Sequence, residues 1–180
     1  MNIRNSHIER LKHAFPQWVY GNISACLNYK QGVGATILIC SAIDTLSYYA
    51  SANPSTYGNK QRFTQFVASY FPSNYDPTLF YKFVRCGLVH SFNMENYYII
   101  ICSNKKWAQS LHLKKPKGLD KTIINPFVLL NHLKNVHKNF IIAINSNVKT
   151  SDKFLKAYSQ RPLAKQNKSV KYFEAKYKYL

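Results

Sequence analysis

Asp76-Pro-Thr-Leu-Phe-Tyr-Lys-Phe-Val-Arg85-Cys-Gly-Leu-Val-His90-Ser91 marks its own start and its own buried face. Asp76 offers an N-cap oxygen, and Pro77 supplies a backbone angle already set for a first helical turn. Leu79, Phe80, Phe83, Val84 and Leu88 then recur at helical spacing, so one face is predicted to be core. Two polar groups are set into this helix. Arg85 is a permanent cation with a planar fork of donors that suits phosphate. His90 can exchange a proton near neutral pH. A cation beside a proton shuttle is a minimal kit for cleaving a phosphodiester. An ordinary surface arginine and a helix-ending histidine would look the same in sequence.

The apolar pattern on either side is also helical. A helix is predicted from about His7, with Ser6 and Glu9 at capping-box spacing. Pro16 should kink or break it before it resumes toward Lys30. Gln31-Gly32-Val33-Gly34 reads as punctuation, followed by an apolar helix from Ala35 to Ser51. A loop over 52–60 leads to a short helix from Gln61 to Phe71, with Phe63, Phe66, Val67 and Tyr70 on one stripe. After Ser91 the texture changes. Tyr97 to Cys102 is aromatic and β-branched, 103–106 resembles a turn, and Trp107 to Leu113 is expected to pair back as a hairpin. Thr122-Ile-Ile is a third short strand candidate. Asn125-Pro126 repeats the cap-then-proline signal and opens a long helix to about Ser146. Asp152 to Gln160 is the last helix candidate. The expected fold is mainly α: a bundle of four to five helices with a small β-hairpin insertion near 97–113. The domain is placed at 1–147, with the β insertion at 96–124, and a basic C-terminal segment at 148–180.

The chain carries 25 Lys and Arg against seven Asp and Glu, a formal charge of +18. A coding bias toward AT-rich codons would account for the lysines, but not for the shortage of acids. A preference for polyanions follows, with nucleic acid ahead of an anionic membrane surface. Lys165, Lys168, Lys171 and Lys176 lie among aromatics near the C-terminus. They suit base stacking with phosphate contacts, and equally a solvated tail. The four cysteines form no C-x-x-C pair and read as reduced thiols of a cytoplasmic protein. The N-terminus has no apolar signal core. Val33 to Ala50 is the most apolar window, yet its Ser41, Asp44, Thr45 and Ser47 favour a buried helix over a membrane span. The spacing of the histidines gives no metal-ligand pair, and no cofactor motif is visible. Asp44, the lone acid of its helix, needs a cation or a donor. It either orients Arg85 or His90, or makes a structural contact such as one with a helix terminus.

Val84-Arg85-Cys86-Gly87-Leu88-Val89-His90-Ser91, late in a helical order, resembles the motif of the HEPN superfamily, an arginine and a histidine about four to six residues apart near a helix end. The apolar helix with Ile43-Asp44-Thr-Leu46, and Arg62-Phe63-x-x-Phe66-Val67 after it, fit the same order over roughly residues 7–146. The resemblance implies a metal-independent endoribonuclease, a toxin or phage-defence effector, acting on RNA as a homodimer whose motif helices face each other. Arg85 and His90 would be its catalytic pair, the product a 2′,3′-cyclic phosphate, and an antitoxin protein a further partner. A non-catalytic HEPN-like module that binds nucleic acid or nucleotide, or acts as a scaffold, is the alternative. Some family members carry Tyr two positions after the histidine as a modification target, whereas Phe92 stands there in this chain. On an ideal α-helix five positions turn through roughly 500°, which leaves the two side chains about 140° apart. A loosened helix end at Gly87, or a second copy, is then needed to bring them together.

Overall fold

The longest apolar run becomes the hub. The computed structural model describes residues 3–52, 54, 58–94, 98–161 and 163. The chain is mainly helical, with one small two-stranded sheet among the described residues. Helix α3 (Gly32–Ala50) is apolar on most of its circumference, as a central helix must be. Helices α2 (Gly21–Asn28), α4 (Asn59–Tyr70), α7 (Pro126–Ser146) and α8 (Val148–Gln160) pack against it. Ile39, Cys40, Ile43 and Leu46 are sealed from solvent at the centre. By length and composition α3 could also cross a membrane, but half of that apolar window is buried against its neighbours.

Local chemistry sets most helix ends. Asp76 Oδ1 accepts from the Thr78 and Leu79 amides at 2.9 Å, with Pro77 in the first turn. Asn125 does the same for α7, accepting from Phe127 N–H at 3.0 Å. A cap of this kind stabilises a helix by about 1 kcal/mol. Helix α1 (Ile3–Phe15) does not use the Ser6–Glu9 capping box, because Ser6 lies inside the helix. Glu9 instead meets His13 at 2.8 Å and Lys12 at 3.5 Å, one turn ahead. Pro16 does not break the helical winding. The chain widens into a short π-helical segment, Pro16–Tyr20, and continues into α2. A missing amide hydrogen forbids the usual i−4 bond there, and a wider turn accommodates the ring.

The stop before α3 also differs from expectation. Gly32 and Gly34 sit inside α3, and the turn is made by Lys30 at φ 58°. Lys30 N–H donates to Leu27 O and Gln31 N–H to Cys26 O, the paired bonds of a Schellman motif. Gly32 serves packing instead. A Cβ there would come within 2.7 Å of the Ile100 and Cys102 side chains, so its smallness lets the strand segment lie on the start of α3.

The β element is present but not as a hairpin. Strand β1 (Tyr98–Ile100) pairs in parallel with β2 (Thr122–Ile124), Tyr98 opposite Thr122 and Ile100 opposite Ile124. Of the expected second arm, Lys106–Gln109 is the short helix α6. Only Leu113 and Lys114 reach the sheet, exchanging bonds with Ile123 at 2.8 and 2.9 Å. An apolar, β-branched run marks a strand, while its partner is decided by what the chain brings alongside.

Helix α8 lies beyond the expected domain boundary at 147 and yet is core. Phe154, Ala157 and Tyr158 are fully buried against α3 and α7. Tyr158 stacks on His7 of α1, with ring centroids 4.3 Å apart. The helical unit therefore reaches at least Gln160.

Candidate functional site

After one turn of α-helix, α5 (Pro77–Leu79), the motif segment Phe80–Ser91 winds as a π-helix. A π-helix bonds i to i+5 and turns by roughly 80° per residue, so five positions bring a side chain back to within about 40–50° of its start. Arg85 and His90 therefore leave the axis on one side, one above the other. The separation of about 140° expected of an α-helix does not occur. Arg85 Nη1 lies 3.2 Å from His90 Nε2. No second copy is needed for the two groups to meet.

The helix end explains how this winding closes. Phe92 takes a left-handed conformation, φ 51°, and Asn93 N–H reaches back to Gly87 O at 3.0 Å, six residues away. The chain folds so tightly over Gly87 that a Cβ there would sit 2.3 Å from Asn93 O and 3.2 Å from Met94 Cα. Both are backbone atoms that cannot swing aside. Alanine in place of glycine normally favours a helix by about 1 kcal/mol. Here the sign reverses: Gly87→Ala is expected to destabilise the fold by about 1–3 kcal/mol through forced backbone movement. Thermal melting of the variant checks this, and a higher melting temperature would contradict it.

Arg85 is held from behind. Its Nε donates to Asp44 Oδ2 of α3 at 3.0 Å, and Nη2 lies 3.0 Å from the same oxygen as an ion pair. Tyr81, one turn back, lies under the guanidinium with its ring centroid 5.5 Å from Cζ. The Arg85 side chain is 12% exposed and that of Asp44 25%, while His90 stands in solvent. Burial works against the Arg85 charge, but the Asp44 carboxylate outweighs it and holds Arg85 above its ordinary range. At Asp44 burial prevails over the pull of Arg85 and Arg62, so its carboxyl titrates above the usual range. The gain from pairing thus shows at the arginine, whose charge is locked, more than at the acid.

Arginine can only donate, so His90 Nε2 must be the acceptor. In this arrangement the neutral ring carries its proton on Nδ1, and Nε2 has a free lone pair aimed at Arg85. Asp44, Arg85 and His90 form a line running from the inside of the bundle to its surface. Of the two alternatives for Asp44, contact with Arg85 is the one observed. Among the described residues no contact of its carboxylate with a helix terminus is seen.

The other sequence candidates fall elsewhere. Lys165, Lys168, Lys171 and Lys176 lie outside the described residues. His132 and His137 are packing groups. His137 donates to Leu11 O at 3.1 Å. His132 belongs to a buried chain with Tyr75 and His112, in which the Tyr75 hydroxyl lies 2.7 Å from His112 Nε2 and 2.8 Å from His132 Nδ1. Sequence reasoning did not single out Tyr81 or Arg161, nor Arg62 as a site residue. Arg62 and Arg161 line a cleft bordering Asp44. Single arginines in a chain this basic carry no distinguishing signal before the helices are assembled.

Against known proteins, the chain matches no protein-family model, no curated protein and no solved structure.

Proposed function

We propose that this chain is a metal-independent endoribonuclease of HEPN type, with Arg85 and His90 as its catalytic pair. The observation that carries the reading is the Asp44–Arg85–His90 line, in which a half-buried acid fixes a cation that touches an exposed imidazole. The scissile phosphate displaces His90 from Arg85 Nη1 and takes its place. The freed Nε2 then accepts the proton of the ribose 2′-hydroxyl. The 2′-oxygen bonds to phosphorus, the bond to the 5′-oxygen breaks, and that oxygen leaves with a proton from water. Arg85 neutralises the charge that builds on the phosphoryl oxygens. The products are a 2′,3′-cyclic phosphate and a 5′-hydroxyl. A toxin or phage-defence role in the cytoplasm, pairing of two copies along this helix and an antitoxin protein as partner belong to the same proposal.

The test is incubation of the protein with RNA in EDTA, followed by analysis of the ends. Cleavage that leaves cyclic phosphate supports the reading. Salt-sensitive RNA binding without any cleavage would replace it with the binding-module alternative.

Asp44→Asn separates positioning from packing. The amide oxygen can still accept one bond from Arg85, but the charge is gone. Removing a carboxylate that burial disfavours offsets part of the lost pairing, so the melting temperature should move by only a few degrees. The turnover rate is expected to fall by about 10- to 100-fold with KM nearly unchanged, since Arg85 loses the partner that aims it. A matching loss in stability and rate would reduce Asp44 to a structural role.

A further inference from the structure

A cleft of about 450 Å³ opens directly beside the Arg85 pair, lined by Asp44, Tyr48, Tyr49, Asn59, Arg62 and Arg161. Its two cations are set in place before any ligand arrives. Arg62 donates through Nη1 to Pro54 O at 2.6 Å and through Nη2 to the Asn59 side chain. Arg161 follows the last turn of α8. Its amide donates to Ala157 O at 3.1 Å, and its carbonyl accepts the Tyr49 hydroxyl at 2.9 Å. Both guanidinium groups come to rest against one ring: Arg62 Cζ is 5.6 Å and Arg161 Cζ 5.7 Å from the centroid of Tyr48. The ring quadrupole offsets part of the repulsion between two cations held this close. The one acid in the lining is Asp44, and Arg85 already engages its carboxylate. The cleft is therefore a positive recess with fixed donors, which fits phosphate oxygens.

We propose that this cleft is a second phosphate subsite, which holds the backbone of the RNA chain next to the bond that Arg85 and His90 act on. The inference rests on the nuclease reading for its direction, because Asp44 belongs to both places. Its carboxylate aims Arg85 on one side and borders the cleft on the other. A chain lying across Arg85 meets Arg62 and Arg161 next. The Asn59 side-chain oxygen in the lining is engaged by Arg62, and the charged donors are the two guanidinium groups, which meet backbone phosphate by charge. Binding at the cleft is accordingly independent of sequence. A chain of nucleotides, and not a free one, is the occupant.

The experiment measures fluorescence anisotropy of a short labelled single-stranded 2′-O-methyl RNA, which cannot be cleaved. Wild type is compared with Arg161→Gln and with Lys117→Gln, a charge removed from the exposed loop after α6. Arg161→Gln should weaken binding by about five- to tenfold, equally for different sequences, and lower the salt slope by about one. Lys117→Gln should change affinity by less than about twofold, as a solvated charge remote from the path. An Arg161→Gln effect no larger than that of Lys117→Gln would overturn the subsite. Competition by adenosine monophosphate as effective as that by the unlabelled RNA would also overturn it, in favour of a nucleotide pocket. Because the probe cannot be cut, an inactive His90 leaves these outcomes intact, so failure of the nuclease reading and failure of the subsite are seen separately.

Discussion

His90→Ala is expected to slow the proposed RNA cleavage by about 10²- to 10⁴-fold, while RNA affinity and melting temperature stay at wild-type values. The separation follows from where the ring sits. His90 is exposed and its contact in the site is the 3.2 Å approach to Arg85, so its removal opens no cavity and strands no buried partner. Arg85 requires a gentler change. Arg85→Ala would leave the half-buried Asp44 carboxylate without its cation, at a cost of about 3 kcal/mol, and lost rate would then be confused with lost fold. Arg85→Lys keeps the charge and removes the fork. A lysine can meet Asp44 or the phosphate but cannot bond both with fixed geometry. A fall of about 100-fold in rate with the fold intact is expected from single-turnover cleavage in EDTA, with denaturation curves run in parallel. Wild-type rates in His90→Ala would remove His90 from the mechanism altogether.

Acid is expected to destabilise this protein through a second group, His112. Asn125 N–H donates to His112 Nδ1 at 3.0 Å, so Nδ1 is the acceptor and the ring proton is on Nε2. That Nε2–H donates to the Tyr75 oxygen, which leaves the Tyr75 hydroxyl proton for His132 Nδ1. Every member has one proton to give or one to take, and a second proton on His112 has no acceptor. Burial, aided by the neighbouring His132, pushes His112 down to about 3, and burial lowers His132 as well. The sign follows directly. The unfolded chain takes up a proton on His112 near pH 6.5, whereas the folded chain refuses it until about pH 3. The stability that His112 contributes is complete above pH 6.5 and is lost as the pH falls toward 3. For a side chain only 7% exposed, the loss by pH 4 is about 3 kcal/mol. Urea unfolding at several pH values between 7 and 4 measures it. His112→Gln should flatten the acid slope even though it lowers stability at pH 7, since one ring's proton uptake has been removed from the unfolded side. An unchanged slope in that variant would assign the acid sensitivity to other groups. Tyr75→Phe should cost about 1–3 kcal/mol at neutral pH, because a buried ring nitrogen of His112 and a half-buried one of His132 lose their shared partner.

The two sites differ in how far the sequence reaches into them. Arg85 and His90 were legible as a pair because both lie on one short amphipathic segment whose start is marked by Asp76 and Pro77. The Tyr75–His112–His132 chain was not, because its members lie 37 and 57 positions apart and no spacing rule links them. Asp44 stands between these cases. A lone acid in an apolar helix announces that it has a partner, but Arg85 is 41 positions away and was only one of its candidates.

What the sequence by itself determined is local. Asp76-Pro77 and Asn125-Pro126 set two helix starts, an apolar stripe at helical spacing named the buried face of α4, and a β-branched run marked β1. Each of these depends on groups within about one helical turn or on strand alternation, so the chain carries the information at short range. Only the tertiary structure decided the rest. It paired β1 in parallel with β2, drew α8 into the core, and brought Arg62 and Arg161 to one tyrosine ring. It also wound the motif helix as a π-helix, about 4.5 residues to the turn instead of 3.6. That last choice rests on Asn93 and Met94 folding back over Gly87, a contact between backbone atoms that no side-chain pattern records. The winding is what turns an arginine and a histidine on different faces of an expected α-helix into two groups 3.2 Å apart.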